Sequence, residues 1–424
     1  MGTFSLRQQL TYALLLFLLL LLLVPRAGHD SDLVFWLNWT TFIFEHRLGD
    51  VYQLADNNYN PLYHYILWLY GHLMGSVEKL RYYIHWLKAF TLIFDFAGAF
   101  WAASLVPDRD RRFGLVLLLL FNIGYLYDTL IWIQVDSIYT FFAFGAVVLA
   151  VQQRVVGSVL CFVLALAAKT QAIIFLPPLL LLWLAQWVRR PWQLVWSVAA
   201  AGTLAMLVLA PFIWWSQANY LPRIIEINAT ASETYPRLSM NAYNIWYLLT
   251  AYESPSSVSD LLPYLGLTYR TWGLLWFFAA SAVALFPLLV AVGQGLLRRS
   301  PISTAPDMAL VLLSCGSIPL LFTYFNTQMH ERYWHAAVLF LAAYGFLRRD
   351  YVPYVLVSVA YFLHLESILH YLQLLKYGVL IFHPKFLAAV FGIAILVVLF
   401  NIYRLAPWRT GRRGAVALPT TSAG

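Results

Sequence analysis

Two aspartates, Asp30 and Asp32, stand in "GHDSDLVFWLNW" (28–39), between a first apolar run and an aromatic-rich second one. An aspartate carboxylate can serve as a general base that takes the proton from an attacking hydroxyl. The same spacing fits a helix N-cap, in which Ser31 or Asp32 accepts hydrogen bonds from the first free N–H groups of "LVFWLNW". The sequence leaves both roles open.

Two segments further along combine ionisable groups with apolar runs. In "IWIQVDSIYTFF" (131–142), Gln134 and Asp136 precede an apolar run, so Asp136 is either an N-cap or a functional carboxylate at membrane depth. In "LAAKTQAIIFLPP" (166–178), Lys169 lies between two apolar runs. It is either a snorkelling lysine at a tight turn or a cation for an anionic lipid phosphate.

The segment "NTQMHERYWHAAVLFLAAYG" (326–345) brings His330, Glu331 and Arg332 to the start of an apolar run, with His335 one turn later. Packing alone does not explain several ionisable residues at such a place. The guanidinium fork of Arg332, with His330, suits phosphate oxygens. The alternative is a charge cluster at the membrane interface.

The composition indicates the environment in which these groups lie. The chain has 424 residues, 62% of them hydrophobic and 11% charged, with a mean hydropathy of +0.70. A soluble domain carries about 25% charged residues, so this chain cannot cover itself with a polar surface. Its apolar runs are long and continuous, which predicts a polytopic membrane protein built of helices. We expect the first run to be kept as a helix rather than cleaved as a signal peptide.

The predicted architecture is an all-α bundle of about twelve transmembrane helices in a single domain over 1–404, followed by a basic, disordered cytoplasmic tail over 405–424. The predicted spans are 8–24, 87–105, 113–126, 136–152, 156–168, 171–188, 194–216, 271–296, 308–324, 333–347, 353–366 and 382–404.

Basic residues set the predicted orientation. Those between the spans alternate onto one side, which predicts that this side and both termini are cytoplasmic. They are Arg7, 108–112, Arg154, 189–190, 298–299, 348–349 and 404–413. This distribution explains the net charge of +8 without a nucleic-acid partner. The opposite side then carries two long external loops, 25–86 and 217–270, and we expect the aromatic stretch 59–75 to lie along the membrane interface.

The sequence predicts no metal site and no cofactor. Cys161 and Cys315 both fall inside predicted spans and are expected to be small buried hydrophobes. The histidines outside the segments above have no recurring acidic or cysteine partners at ligand spacing. A D-x-D pair also resembles the metal motif of nucleotide-sugar transferases, but those enzymes use cytosolic donors and this pair is predicted to face the other side.

Taken together, the segments resemble the GT-C glycosyltransferases, above all the glucosyltransferases that complete the dolichol-linked oligosaccharide and their bacterial mannosyltransferase-like relatives. Asp32 followed by Trp39 is similar to the "GD…W" that opens the first luminal loop of that family. "NYNPLYHYILWLYG" (58–71) is similar to its "DYPPL-x-x-Y", and "QMHERY" (328–333) to its "H-E-K/R". "QVDS" (134–137) and "AKTQAIIFLPPLLL" (168–181) resemble a bacterial "GQVDS" and "KPQA…LPLLL".

This resemblance implies an inverting transfer of a hexose, such as mannose or glucose, from a polyprenyl-phosphate donor to a lipid-linked glycan or another extracytoplasmic hydroxyl. Asp32 matches the family's base, and His330 matches a histidine near the donor phosphate. Arg332 and Lys169 would help to bind that phosphate. Residues that could support the reaction are Asp30, Asp56, Gln134, Asp136 and Glu331. The chain departs from the family at Asn58-Tyr59-Asn60-Pro61, where the carboxylate of "DYPP" is missing and only Asp56 is near.

Two other classes stay open. One is an O-antigen polymerase or ligase, which also uses polyprenyl-linked sugars outside the cytoplasm. The other is a transporter or lipid flippase, for which ionisable residues near the bilayer midplane are typical. Here most acids fall in the external loops, and Asp95 is the clearest charge within a span. Short loops favour a bacterial inner membrane over the endoplasmic reticulum.

Overall fold

The computed structural model describes residues 4–231, 235–252, 254–297, 306–376 and 378–410. Its α-helices are α1 (Leu6–Leu23), α2 (Asp30–Glu45), α3 (Pro61–Met74), α4 (Val77–Tyr83), α5 (Lys88–Ser104), α6 (Arg109–Leu120), α7 (Ile123–Tyr127), α8 (Asp136–Val151), α9 (Val155–Ala168), α10 (Leu176–Arg189), α11 (Pro191–Ile213), α12 (Leu221–Ala229), α13 (Ile245–Leu249), α14 (Tyr269–Leu297), α15 (Met308–Phe325), α16 (His335–Arg348), α17 (Val352–Leu369), α18 (Pro384–Arg404) and α19 (Pro407–Thr410).

Short elements join these helices. Strands β1 (Pro263–Tyr264) and β2 (Leu267–Thr268) form an antiparallel hairpin. A single π-helical turn, Asp128–Trp132, precedes α8. The 3-10 helices of the described residues are Leu48–Gln53, Ile84–Leu87, Thr170–Phe175, Pro255–Ser257 and Leu374–Lys376.

The prediction of an all-α membrane protein agrees with this architecture. Within the described ranges, eight helices are long and apolar enough to cross a membrane, or nine if α6 and the bent segment after it form one span. Three further apolar helices, α8, α9 and α16, have 14 to 16 residues. They extend over only about 21–24 Å, whereas the hydrocarbon core is about 30 Å thick. Each predicted span coincides with helical structure, but the number of twelve spans is not confirmed.

Consecutive long helices run back and forth, which brings distant parts of the sequence to one end of the bundle. Helix α8 begins at Asp136 and α9 returns to Lys169, while α15 and α16 are joined by the segment that carries His330. We call this the site end. The arginines Arg154, Arg189 and Arg348 lie at the opposite helix ends. The cytoplasmic assignment of that end stays a prediction, and residues 298–299 and 411–424 lie outside the described residues.

The two long segments predicted as external loops both contain helices. In the first, α2 and α3 pack against each other, and 3-10 helix Leu48–Gln53 packs on α11. The placement of α3 at a membrane interface stays a prediction. The second contains α12, α13 and the hairpin. It is fastened to the segment before α16 by Met240 N–H, which donates to the Met329 carbonyl at 2.9 Å, and by Gln328 N–H, which donates to the Arg237 carbonyl at 3.0 Å.

Asp260 is a buried anchor for this second segment. Its carboxylate accepts two hydrogen bonds from the Arg270 guanidinium, at 3.0 and 3.2 Å, and one each from Thr327 and Gln328 at 2.7 Å. A buried carboxylate is tolerated when its oxygens are paired in this way. The contact fixes the chain immediately before His330.

Gly49 marks a close contact between the first long segment and α11. A Cβ at this position would lie 2.1 Å from the Pro211 carbonyl oxygen, a backbone atom of α11, so the backbone itself would have to shift to make room. We expect Gly49→Ala to destabilise the fold by about 1–3 kcal/mol through overpacking, measured as a lower midpoint of thermal unfolding in detergent. Gly114→Ala on α6 is the matched control, because a Cβ added there would meet no heavy atom within 4 Å. Equal midpoints for the two variants would contradict this packing.

Candidate active site

A cavity of about 390 Å³ lies at the site end. Its wall contains Asp32, Lys169, His330, Glu331 and Arg332, which come from three widely separated parts of the chain. Sequence reasoning selected all of these residues, and the fold brings them to one surface. Buried or half-buried tryptophans and tyrosines from α2 and from the segments at 59 and 132 form much of the remaining wall.

Asp32 does not cap its helix. Helix α2 begins at Asp30 with His29 as N-cap, and no side chain makes a capping hydrogen bond there. The alternative in which Ser31 or Asp32 caps α2 is therefore wrong. Ser31 instead shares a hydrogen bond of 2.8 Å with His29 Nδ1. The Asp32 carboxylate instead contacts the residues that follow α7, where Trp132 and Gln134 provide two N–H donors.

Those two donors hold one oxygen of Asp32. Its Oδ2 accepts from Trp132 Nε1 at 2.8 Å and from Gln134 Nε2 at 2.7 Å, and His29 Nδ1 lies 3.6 Å away. Among the described residues, no hydrogen bond reaches Oδ1 of Asp32, and that oxygen belongs to a side chain on the cavity wall. One oxygen thus fixes the carboxylate, and the other can meet a ligand.

The backbone around Ile133 explains why both donors reach the same carboxylate. The π-helical turn ends at Trp132, and the next residue, Ile133, has a φ of +64°, a conformation that β-branched residues rarely adopt. The turn is held by Trp36 Nε1, which donates to the Ile133 carbonyl at 3.1 Å, and by Gln134 N–H, which donates to the Asp128 carbonyl at 3.0 Å. Strain of this kind persists where the surroundings enforce it, which is common at functional sites.

Gln134 therefore has a testable positioning role. Its amide donates to Asp32 and its oxygen accepts from the Tyr59 hydroxyl at 3.1 Å. A hydrogen bond to a charged group contributes about 1.5–3 kcal/mol, so we expect Gln134→Leu to lower turnover by about ten- to a hundredfold. The readout is turnover at saturating substrates, with the Michaelis constants little changed. Gln53→Leu, an exposed position outside the cavity wall, should stay within twofold of wild type. An unchanged turnover for Gln134→Leu would mean that Asp32 does not depend on this contact.

Lys169 and Arg332 share a buried counter-ion. Asp136 Oδ1 lies 2.7 Å from Lys169 Nζ, and Asp136 Oδ2 lies 3.6 Å from Arg332 Nε. Helix α8 has Val135 as N-cap with no side-chain capping bond, so the alternative of Asp136 as an N-cap is wrong: its carboxylate pairs with these cations instead. Lys169 is only 7% exposed, and the alternative of a snorkelling lysine is also wrong.

Tyr333 lies between the two cations. Its ring centroid is 5.4 Å from Lys169 Nζ and 5.8 Å from the Arg332 guanidinium carbon, and its hydroxyl accepts from Gln171 at 2.8 Å. The electron-rich face of an aromatic ring attracts such cations. Tyr333 thus helps to hold both of them beside the cavity.

The neighbours of Arg332 differ in charge. Burial lowers the pKa of His330 well below its usual value, and the cations Arg332 and Lys169 lower it further, so His330 is neutral near pH 7. Burial raises the pKa of Glu331, and Arg332 opposes that shift across a contact of 3.2 Å. The positive charge of this wall therefore comes from Lys169 and Arg332 and not from His330.

Several residues fall elsewhere than the sequence suggested, or were missed. Asp30 and Asp56 are exposed and do not line the cavity. Gln134 contacts Asp32 directly and Asp136 lies behind the cations. Sequence reasoning missed Trp132 as a partner of Asp32, although it stands in the same quoted segment as Gln134. Among the described residues, no group of three or more acidic, cysteine or histidine side chains is arranged to hold a metal ion.

The fold and site together define an all-α membrane protein with a charged cavity at one end of its bundle. Neither a protein-family model nor a curated protein matches the chain.

Proposed function

We propose that this protein is an inverting glycosyltransferase that moves a hexose from a polyprenyl-phosphate donor to the hydroxyl of a lipid-linked glycan or another extracytoplasmic acceptor. The observation that carries the proposal is the placement of a fixed carboxylate and two cations on one cavity wall. Asp32 presents Oδ1, while Lys169 and Arg332 supply positive charge.

The cations suit a phosphate. A planar guanidinium beside an ammonium group matches phosphate oxygens, and both groups are already held by Asp136. The cavity belongs to a bundle whose long helices are apolar enough to cross a membrane, so a polyprenyl tail would remain in the bilayer while its phosphate enters the cavity. His330, neutral near pH 7, can contribute a hydrogen bond without a net charge.

The reaction would follow from these positions. Asp32 takes the proton of the acceptor hydroxyl, and the hydroxyl oxygen attacks the anomeric carbon from the face opposite the phosphate. A new carbon–oxygen bond forms, the bond from the anomeric carbon to the phosphate oxygen breaks, and the configuration inverts. Arg332 and Lys169 stabilise the negative charge that develops on the departing polyprenyl phosphate. No step of this scheme needs a metal ion.

The resemblance to the GT-C glycosyltransferases supports this proposal, because four of the five segments that carry it contribute residues to the cavity wall. The arginine distribution favours an extracytoplasmic site with both termini in the cytoplasm, and the short loops favour a bacterial inner membrane. An O-antigen polymerase or ligase would need a similar site and is the nearest alternative. Transport or lipid flipping is the second candidate, since Asp95, Asp128 and His335 are buried among the helices.

A donor panel separates these classes. The protein, purified into lipid nanodiscs, would be incubated with polyprenyl-phosphate and polyprenyl-diphosphate sugars and with extracted glycolipid acceptors. Release of polyprenyl monophosphate together with a longer glycan supports the proposal. Release of the diphosphate instead indicates a polymerase or ligase. Movement of intact donor across vesicle membranes, with no bond cleaved, indicates transport.

A further inference from the structure

Behind Lys169 and Arg332 lies a group of buried ionisable residues that the proposed reaction does not use. We call Asp95, Asp128 and His335 the inner cluster; they lie on α5, on the π-helical turn and at the start of α16. None of the three is exposed. In the described part of the chain, neither carboxylate and neither nitrogen of the imidazole has a hydrogen-bond partner.

His335 points at Asp95. Its Nε2 lies 3.8 Å from Asp95 Oδ1, and its ring stacks on Tyr125 with centroids 5.4 Å apart. The Tyr125 hydroxyl donates to the backbone carbonyl of Asp95 at 3.2 Å. The imidazole is therefore fixed beside a carboxylate, in a place where a proton can reside on either group.

The inner cluster faces the phosphate-binding groups. The titratable and charged side chains that face its three members from the surrounding elements are Tyr125 on α7, Asp136 and Tyr139 on α8, Lys169 after α9, Arg332 before α16 and Tyr361 on α17. The charges on the cavity wall and those of the inner cluster therefore affect one another.

The cavity wall and the groups behind it together hold more acids than cations. Two basic side chains, Lys169 and Arg332, are surrounded by the carboxylates Asp32, Asp95, Asp128, Asp136 and Glu331. An uncompensated buried carboxylate costs several kcal/mol, so a buried carboxylate with no cation in contact favours its protonated form. Asp95 and Asp128 have no lysine or arginine in ion-pair contact among the described residues, and they are the natural places for protons.

A bound phosphate would change how well Lys169 and Arg332 compensate the buried carboxylates. Lys169 and Arg332 line the cavity, whereas Asp136 contacts them from the buried side and does not line it. A phosphate in the cavity would compete with Asp136 for the same cations. The acids behind them would lose part of their compensation, and taking up a proton from solvent onto a carboxylate oxygen would restore it.

We infer that binding of a phosphate anion at Lys169 and Arg332 is coupled to the uptake of a proton by the inner-cluster carboxylates, Asp95 and Asp128. The choice of a phosphodiester as ligand rests on the proposed function. By linkage, a ligand that binds together with a proton binds more weakly as the pH rises, by up to about tenfold per pH unit for one proton.

Isothermal titration calorimetry measures this uptake directly. The full-length protein in nanodiscs would be titrated with a short-chain isoprenyl-phosphate hexose, a diester whose single charge is constant over the pH range used. Repeating the titration in buffers of different ionisation enthalpy gives the number of protons taken up. Dimethyl phosphate, with the same charge but no sugar or lipid, shows whether free phosphodiesters suffice.

We expect an uptake approaching one proton and an affinity for the diester that falls with rising pH. Asp128→Asn and Asp95→Asn should each still bind the diester, but at least one of them should take up substantially fewer protons. Asp307→Asn is the control, because it removes a carboxylate paired with Arg348 at the opposite end of the bundle and should leave the uptake unchanged. Binding of the diester shows that a variant is folded.

Binding without proton uptake in the wild type would overturn the inference, as would unchanged uptake in both inner-cluster variants. Either result leaves the proposed transferase intact. Proton-coupled binding without any transfer of sugar would instead overturn the proposed function and keep the coupling. No binding of either phosphodiester would overturn both.

Discussion

Asp32→Asn is expected to lower turnover by about 10²–10⁴-fold, the range that a positioned general base contributes. The asparagine oxygen can still accept hydrogen bonds from Trp132 and Gln134, so the shape of the cavity should be kept. Folding and donor binding should therefore stay close to wild type. The measurement is the rate of polyprenyl phosphate release at saturating donor, together with the donor dissociation constant.

Asp30→Asn is the matched control, because Asp30 carries the same charge two residues earlier and lies outside the cavity wall. Its turnover should stay within twofold of wild type. If Asp32→Asn keeps near wild-type turnover, the assignment of the base is wrong. Asp30 and Asp56 would then be the next acids to replace.

Arg332→Gln is the second large effect that we expect. Loss of a preorganised group that stabilises developing charge costs about 10²–10³-fold in turnover, and ground-state binding of the phosphate adds to the loss in kcat/KM. The substitution also leaves Glu331 and Asp136 with less compensation, at contacts of 3.2 and 3.6 Å respectively. Removing one member of a buried ion pair costs about 3–5 kcal/mol, so we expect a lower unfolding midpoint as well.

Arg332→Lys separates these two effects. It keeps the charge that compensates the buried acids but loses the guanidinium fork, so stability should largely recover while kcat/KM stays low. Arg223→Gln is the control, since Arg223 forms an exposed pair with Glu226 at 2.9 Å and does not line the cavity. Wild-type kcat/KM in Arg332→Gln would contradict the role of Arg332 at the phosphate.

The sequence predicted the helices well, because continuous apolar runs and the arginines between them are local signals. The length of a span is harder to predict. Helices α8, α9 and α16 end after 14 to 16 residues, where the backbone leaves the helical conformation at Gln152, Lys169 and Arg349. Composition alone does not show where a short helix begins and ends relative to the bilayer, and the number of spans therefore stays open.

The site residues were predictable as types but not as partners. An acid before an apolar run looks like an N-cap, and this local pattern suggested capping for both Asp32 and Asp136. Each carboxylate instead pairs with groups far away in sequence: Trp132 lies 100 residues from Asp32, and Lys169 lies 33 residues from Asp136. A single sequence carries no signal for such contacts, because they depend on how the helices pack.

The role of Ile133 could not be predicted from the sequence either. Only the backbone shows that a β-branched residue at positive φ separates the two donors to Asp32. From the sequence, "IWIQVDS" is an apolar stretch before an acid. The structure makes it the positioning element of the proposed base.

The most direct test of the central claim is the fate of a polyprenyl-phosphate hexose in the presence of the purified protein and a glycolipid acceptor. Products would be followed by mass spectrometry, and the new glycosidic bond by nuclear magnetic resonance. We predict one polyprenyl monophosphate released for each sugar transferred, with the anomeric configuration inverted. Retention of configuration, or intact donor after incubation with a full panel of hexoses and acceptors, would contradict the account.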